Sequence, residues 1–210
     1  TYFYRQEYQL RCFRDELLPR LAEENRTRRR LTLWSAGCST GEEAYTIAIL
    51  VHESGLFKGW DVRVIGSDIS RRSIATARRG IYRGGAFRAI SAAARGAYFR
   101  EAPGGERVVD CIRETCHFGQ LNLLDGARAA IVGRVDVVFC RNVLIYFDSR
   151  SRRQVIDNLY ERLVPGGYLL LGHSESLLNL STAFELVHLR EDLVYRKPTL
   201  ALRSDPGRAR

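Results

Sequence analysis

The sequence predicts an α/β fold: a doubly wound, Rossmann-like sheet with a C-terminal antiparallel hairpin and a small inserted β-subdomain. Three observations predict it. Short hydrophobic runs alternate with amphipathic helical stretches, the pattern of parallel strands joined by crossover helices. The first such run ends in a turn of small residues, Ser35-Ala-Gly-Cys-Ser-Thr-Gly41. The alternation breaks once, over residues 81–117, and closes on two β-rich runs near the C-terminus.

Each element has its own signal. Residues 6–24 read as an amphipathic helix because Leu10, Phe13, Leu17 and Leu21 recur at helical spacing. Arg26 to Arg30 form a basic connection to a buried strand, Leu31–Trp34. Beyond the small-residue turn, Glu42–Glu53 reads as a helix with Tyr45, Ile49 and Leu50 on its apolar side. Val62–Gly66 is a strand and Arg71–Arg79 a helix, for which Ser70 is the natural N-cap. Val135–Cys140 is a strand, Arg152–Leu163 a helix that Pro165-Gly-Gly167 ends, and Tyr168–Leu171 another strand. Phe184–Leu189 and Leu193–Arg196 read as the closing hairpin. The excursion holds a helix, Ser91–Phe99, a turn at Ala102–Gly105, a short strand at Val108-Val109 and a second around Cys116–Gln120. The expected plan is an N-terminal arm and basic helix (1–30), a main domain (31–80 and 118–198), the insert (81–117) and a tail or linker (199–210).

Composition narrows the function. The 210 residues fit one sizeable domain. No apolar run is long enough to span a bilayer and the N-terminus is polar, which predicts a cytoplasmic chain without membrane insertion. Cys12, Cys38, Cys111, Cys116 and Cys140 include no CxxC pair, and Cys111, Cys116 and His117 lack further ligands at a suitable spacing. The five are read as reduced thiols, and no metal is expected. The formal charge of +9 is carried almost wholly by arginine, Lys58 and Lys197 being the lysines. It points to an acidic partner or to a compositional bias, and by itself does not choose between them.

Open α/β sheets bind ligands at the carboxyl ends of their strands, and three strand ends here carry suitable residues. At the first, Gly37 to Gly41 would let a nucleotide-like ligand approach the backbone, while Glu42 and Glu43 disfavour a pyrophosphate and suit an ammonium-bearing ligand. At the second, Asp68 is placed to accept ribose hydroxyls, although its spacing from the turn exceeds the roughly 20 residues of the dinucleotide fingerprint. At the third, Arg141 and Asn142 precede an aromatic pair, Tyr146-Phe147. Neither GxGxxG nor GK[ST] occurs. S-adenosylmethionine, with an adenosine, an amino group and no phosphate, suits these residues best.

Five stretches then carry a family resemblance: Thr1-Tyr-Phe-Tyr-Arg5, Trp34 to Tyr45, Gly66-Ser-Asp-Ile-Ser70, Phe139 to Asp148 and Gly172-His-Ser-Glu-Ser176. The chain resembles the CheR-type chemotaxis receptor methyltransferases, whose Rossmann-like methyltransferase sheet matches the predicted fold. The resemblance implies transfer of a methyl group from S-adenosylmethionine to glutamate carboxylates of a chemoreceptor-type protein, leaving S-adenosylhomocysteine as product. It implies that Thr1 and Arg5 reach over the cofactor, with Gly37 in the binding turn. Glu43 would pair with the amino group, Asp68 with the ribose, and Asn122 and Leu123 with the adenine, while Arg141 and Asn142 close the site. Arg5 and Tyr146 would orient the substrate carboxylate as the catalytic pair.

The chain departs from the family in having Phe3-Tyr4 where two phenylalanines are usual and Ser70 where an aspartate is usual. The family also has a helical domain before the threonine, and with Thr1 first that domain is expected to be missing or removed. A glutamate is already an anion near neutral pH, with a pKa of about 4.3, so the reaction needs alignment and not a general base. His173 is therefore read as structural. The rivals are a methyltransferase acting on another substrate and a non-catalytic cofactor- or receptor-binding module. No Asn-Pro-Pro-aromatic motif supports nucleic acid as the substrate. The basic helix (Arg11, Arg14, Arg20) with Arg26 to Arg30 is a candidate docking face for an acidic receptor, weighed against a merely solvated face. Some family members use the insert to grip a C-terminal receptor peptide, and the compact turn between Phe99 and Val108 predicts that this chain does without that tether.

Overall fold

The backbone forms the alternation the sequence predicts, in a computed structural model that describes residues 1–199. The tail expected at 199–210 lies, apart from Thr199, outside the described residues. The N-terminal helix runs as α1 (Glu7–Cys12), a π-helical stretch (Phe13–Leu17) and α2 (Leu18–Glu24). Strand β1 (Arg30–Ala36) leads to α3 (Glu42–Ser54), and β2 (Asp61–Asp68) to α4 (Arg71–Arg79), which Ser70 caps by accepting the Ser73 N–H. The insert holds β3 (Ile81–Tyr82), α5 (Ala92–Tyr98), β4 (Phe99–Ala102), β5 (Gly105–Val108) and α6 (Asp110–Arg113). Then follow β6 (Cys116–Gln120), α7 (Gly126–Ala129), β7 (Val135–Cys140), α8 (Ser149–Arg162), β8 (Leu163–Leu171), β9 (Glu185–His188) and β10 (Leu193–Arg196).

The main sheet has the order β6-β2-β1-β7-β8-β10-β9. Its first five strands are parallel and β10 is antiparallel to both neighbours. The strand order reverses between β1 and β7, so the switch point, where open sheets bind ligands, lies at their carboxyl ends. Two apolar clusters cover the two faces. One joins Leu31, Leu33 and Phe139 to the N-terminal helix and α3; the other joins Trp34, Val138 and Leu169 to α8.

Three differences from expectation have physical causes. Cys116–Gln120, assigned to the excursion, is the outer parallel strand of the main sheet, so the boundary at 117 falls inside a strand. As an edge strand it has few apolar positions to bury, and its run Cys-His-Phe-Gly-Gln reads weakly. The helix before β8 starts at Ser149 because Asp148 caps it by accepting the Ser151 N–H. Pro165-Gly-Gly167 lies inside β8, where the register against β7 shifts between Val135 and Val137.

The insert forms a three-stranded antiparallel sheet, β3-β5-β4. Pro103-Gly104 makes the β4–β5 turn, with Gly104 at φ 90°, the conformation a type II turn requires after proline. Phe3 of the N-terminal arm is fully buried against this insert, its ring 4.9 Å from those of Tyr82 and Phe99 and 5.7 Å from that of Phe87. Burying one phenylalanine contributes about 1.5–3 kcal/mol, and the Phe3 N–H also donates to the Ala86 carbonyl at 3.0 Å.

Candidate active site

The carboxyl ends of β1, β2 and β7 and the N-terminal arm enclose a cavity of about 410 Å³, a size suited to a small ligand. All ten residues nominated from the sequence line it: Thr1, Arg5, Gly37, Glu43, Asp68, Asn122, Leu123, Arg141, Asn142 and Tyr146.

The turn after β1 is shaped by close approach. Gly37 sits at φ 82°, and a Cβ there would come within 2.5 Å of Val143. The glycine thus lets the loop after β7 lie against the loop after β1. The two glutamates after the turn separate in role. Glu42 is buried and accepts from the Thr40 hydroxyl at 2.7 Å, while Glu43 faces the cavity, accepting from the Ser35 hydroxyl at 2.7 Å and from Arg141 at 3.2 Å. Asp68 is oriented by two backbone N–H groups, of Ser39 at 2.8 Å and Ser70 at 2.9 Å. Burial, with Asp68 and Glu43 nearby, pushes the Cys38 thiol well above its ordinary range, so it stays a neutral lining group. All five cysteines are free.

The two arginines at the site do different work. The Arg141 guanidinium is buried and fully engaged. It donates to Gln9 Oε1 (2.9 Å), Glu43 Oε2 (3.2 Å), the Arg5 carbonyl (2.5 Å) and Gln6 Oε1 (2.9 Å). Arg5 has no side-chain hydrogen bond or ion pair among the described residues. It is held by its backbone, between Tyr4 at φ 59° and Gln6 at φ 57°. Such left-handed residues cost of order 1–3 kcal/mol each and persist where the surroundings enforce them. Here the Thr46 hydroxyl accepts the Tyr4 N–H and Arg141 holds the Arg5 carbonyl. Tyr146 is 82% exposed at the cavity mouth, which rules out core packing as its role.

Two residues that hold the site are not among those the sequence nominates, although Glu175 lies in the Gly172–Ser176 stretch that carries the resemblance. Gln9 is buried and ties α1 to the sheet end, donating to the Leu171 carbonyl and to Asp192, both at 2.8 Å, while accepting from Arg141. A glutamine beside Leu10 on the apolar side of the helix was the available signal. Glu175 accepts four backbone N–H groups, from Asn142 (2.7 Å), Val143 (2.9 Å), Leu144 (2.8 Å) and Gly172 (2.8 Å). It holds the loop that carries Asn142, itself at φ 59°, and Tyr146. His173 is exposed, lies outside the cavity lining and packs edge-on to Tyr8 at 6.0 Å.

Residues 1–193 match the family described as CheR methyltransferase, SAM binding domain. The chain belongs to this family. Chemotaxis protein methyltransferase 2 of Vibrio cholerae is 36% identical over 200 residues, a match covering 94% of this chain and 69% of that protein. Chemotaxis protein methyltransferase 1 of Pseudomonas aeruginosa is 36% identical over 203 residues, covering 93% and 73%. Among solved structures, an O-methyltransferase family protein from Burkholderia thailandensis has a TM-score of 0.50 at 14% identity, covering 90% of this chain and 60% of that one, a likeness of fold alone. The CheR-type chain is an S-adenosylmethionine-dependent methyltransferase, and its reaction is transfer of the methyl group to glutamate side chains of chemoreceptors. Among the described residues no helix is long and apolar enough to cross a membrane.

Proposed function

We propose that this CheR-type methyltransferase works by alignment, with Arg5 and Tyr146 holding a receptor glutamate carboxylate at the cavity mouth. The observation that carries the reading is the contrast between the two arginines. Arg141 is committed to the protein, whereas the Arg5 guanidinium is free to fork onto a carboxylate. When bound, S-adenosylmethionine supplies an electrophilic methyl group on a positively charged sulfur. The lining fits it: two oriented carboxylates, a glycine turn without room for a Cβ at Gly37, and a cavity of small-molecule size. Glu43 would take the ammonium group and Asp68 the ribose hydroxyls. Asn122 and Leu123 would flank the adenine, Thr1 and Gly37 would cover the ligand, and Asn142 would close over it, with Arg141 acting through Glu43 and the arm.

No proton transfer to a base is required, because the attacking glutamate oxygen is already anionic. The chain's task is to bring that oxygen into line and keep water from screening the charges. Incubating the chain with labelled S-adenosylmethionine and a receptor cytoplasmic fragment tests this: a base-labile labelled product is expected, and absence of label overturns the reading. Asp68→Ala should weaken S-adenosylhomocysteine binding at least about tenfold, or about 1.4 kcal/mol, by calorimetry. Unchanged affinity would remove Asp68 from the site.

We further propose that the receptor is engaged without a C-terminal tether. The support is the tight Pro103-Gly104 turn, which joins β4 to β5 through two residues, and the close packing of Gly105, where a Cβ would fall 2.2 Å from the Tyr82 carbonyl. Titration with C-terminal receptor pentapeptides should show no saturable binding. A low-micromolar dissociation constant, lost on mutating residues 107–113, would show that the turn does not preclude the tether.

A further inference from the structure

Positive charge is distributed differently from what the sequence implies. The arginines of the N-terminal helix are each paired with a neighbouring carboxylate, Arg11 with Glu191 and Glu7, Arg14 with Asp15 and Arg20 with Glu16. Beyond the helix Arg26 pairs with Glu23, Arg28 with Asp136 and Arg30 with Asp61, while Arg29 donates to the Lys58 carbonyl. A second set, Arg71, Arg72, Arg78 and Arg79 on α4 with Arg83 and Arg88 just beyond it, is exposed and makes no ion pair among the described residues. The contacts these arginines do make are with neutral groups. Arg71 donates to Gln120, Arg78 to the Phe118 carbonyl and Arg79 to the Thr76 hydroxyl, while Arg88 lies 3.5 Å over the Tyr2 ring.

Two features connect this band to the site. The first turn of α4 holds Arg71 and Arg72 and no acid, although the helix dipole favours acidic residues there. Local stability therefore does not account for the placement of these two cations. Both ends of the band also reach the cavity lining. Ile69, 64% exposed, lines it two residues before Arg71, and Tyr2 lines it beneath Arg88.

We propose that this arginine band, with Ile69 as its apolar contact, is the surface on which the acidic, glutamate-bearing helical segment of the chemoreceptor docks. The inference rests on the proposed function, since it supplies that site with its substrate. Guanidinium forks match carboxylates, and a band flanking the cavity mouth steers acidic residues towards it while one glutamate enters. Among the described residues Ile69 is the single bulky apolar side chain of this surface, and the exposed face of α4 adds only Ala75 among its arginines, less apolar area than insertion into a lipid surface uses.

The test compares two double variants of the full chain on a receptor cytoplasmic fragment. Arg72→Glu/Arg79→Glu should raise KM about tenfold at low ionic strength, by an amount that shrinks as salt is added. Its kcat and its S-adenosylhomocysteine affinity should be unchanged, the latter also reporting that it is folded. Arg72→Ala/Arg79→Ala should show a smaller effect of the same sign. Arg14→Glu/Arg20→Glu should leave KM within a factor of about two. An unchanged KM for the α4 variants, or an equal rise for both pairs, overturns the proposal. So does loss of retention on phosphatidylglycerol vesicles with KM for the soluble fragment unaltered, which would assign the band to a membrane surface. Failure of the unaltered chain to methylate any fragment would instead overturn the functional reading beneath it.

Discussion

Arg5→Ala is expected to lower kcat by at least about a hundredfold while S-adenosylhomocysteine binds within a few-fold of its original affinity. The two halves of this result come from different atoms of one residue. The Arg5 carbonyl receives Arg141 and helps hold the arm, and alanine keeps that carbonyl. The guanidinium has no partner among the described residues, so its removal leaves the free protein's hydrogen bonds intact. What is lost is a charge-assisted, two-pronged grip on the substrate carboxylate, worth about 1.5–3 kcal/mol when buried from water. A hundredfold loss corresponds to about 2.7 kcal/mol of barrier. Arg5→Lys should recover only part of it, because an ammonium restores charge without the planar fork. Single-turnover rates with saturating cofactor make the measurement. A kcat within a factor of about two of the unaltered protein would remove Arg5 from the chemistry.

Glu175→Gln is the second large effect, and it acts at a distance from any reacting atom. The glutamate accepts four backbone N–H groups, three of them from Asn142, Val143 and Leu144 in sequence. An amide of the same shape offers one acceptor oxygen and turns an N–H₂ group towards donors. Leaving two N–H groups unsatisfied would cost about 2–4 kcal/mol, lowering the melting temperature by roughly 5–15 °C. The functional signature separates this from simple destabilisation. At a temperature where the variant is fully folded, kcat should still fall by more than about tenfold, since the strained Asn142 and the exposed Tyr146 depend on the loop it holds. Full activity in folded Glu175→Gln would reduce the residue to a stability element.

Much of the fold is legible in the sequence itself. Strand and helix existence followed from periodicity, because parallel strands buried on both faces and amphipathic helices have different repeats. Residues that line the cavity are legible because an open α/β sheet gathers its candidate ligand contacts at a few strand ends, and Gly37, Asp68 and Arg141 each stand at one. Relationships between distant segments were not readable. Cys116–Gln120 joins the main sheet through pairing with β2, about fifty residues earlier, which local pattern does not encode. Glu175 serves backbone groups 31 to 33 residues away, and backbone N–H groups carry no sequence signal at all. Arg141 stands out as a polar residue at a strand end, yet its four bonds to the arm, Gln9 and Glu43 emerge only in three dimensions. The pairing of the basic helix was partly legible, since Glu7–Arg11 and Glu16–Arg20 stand at i,i+4 spacing.

The burial of Phe3 in the insert limits how the chain can be recombined. The first five residues carry Thr1 and Arg5, and their anchor is a ring packed among Tyr82, Phe87 and Phe99. The arm and residues 81–108 are therefore one packing unit, though the chain writes them far apart. A chimera that took the insert from a relative and kept this arm would seat Phe3 in a foreign socket and move Arg5 off its mark. Grafting both segments together should preserve turnover.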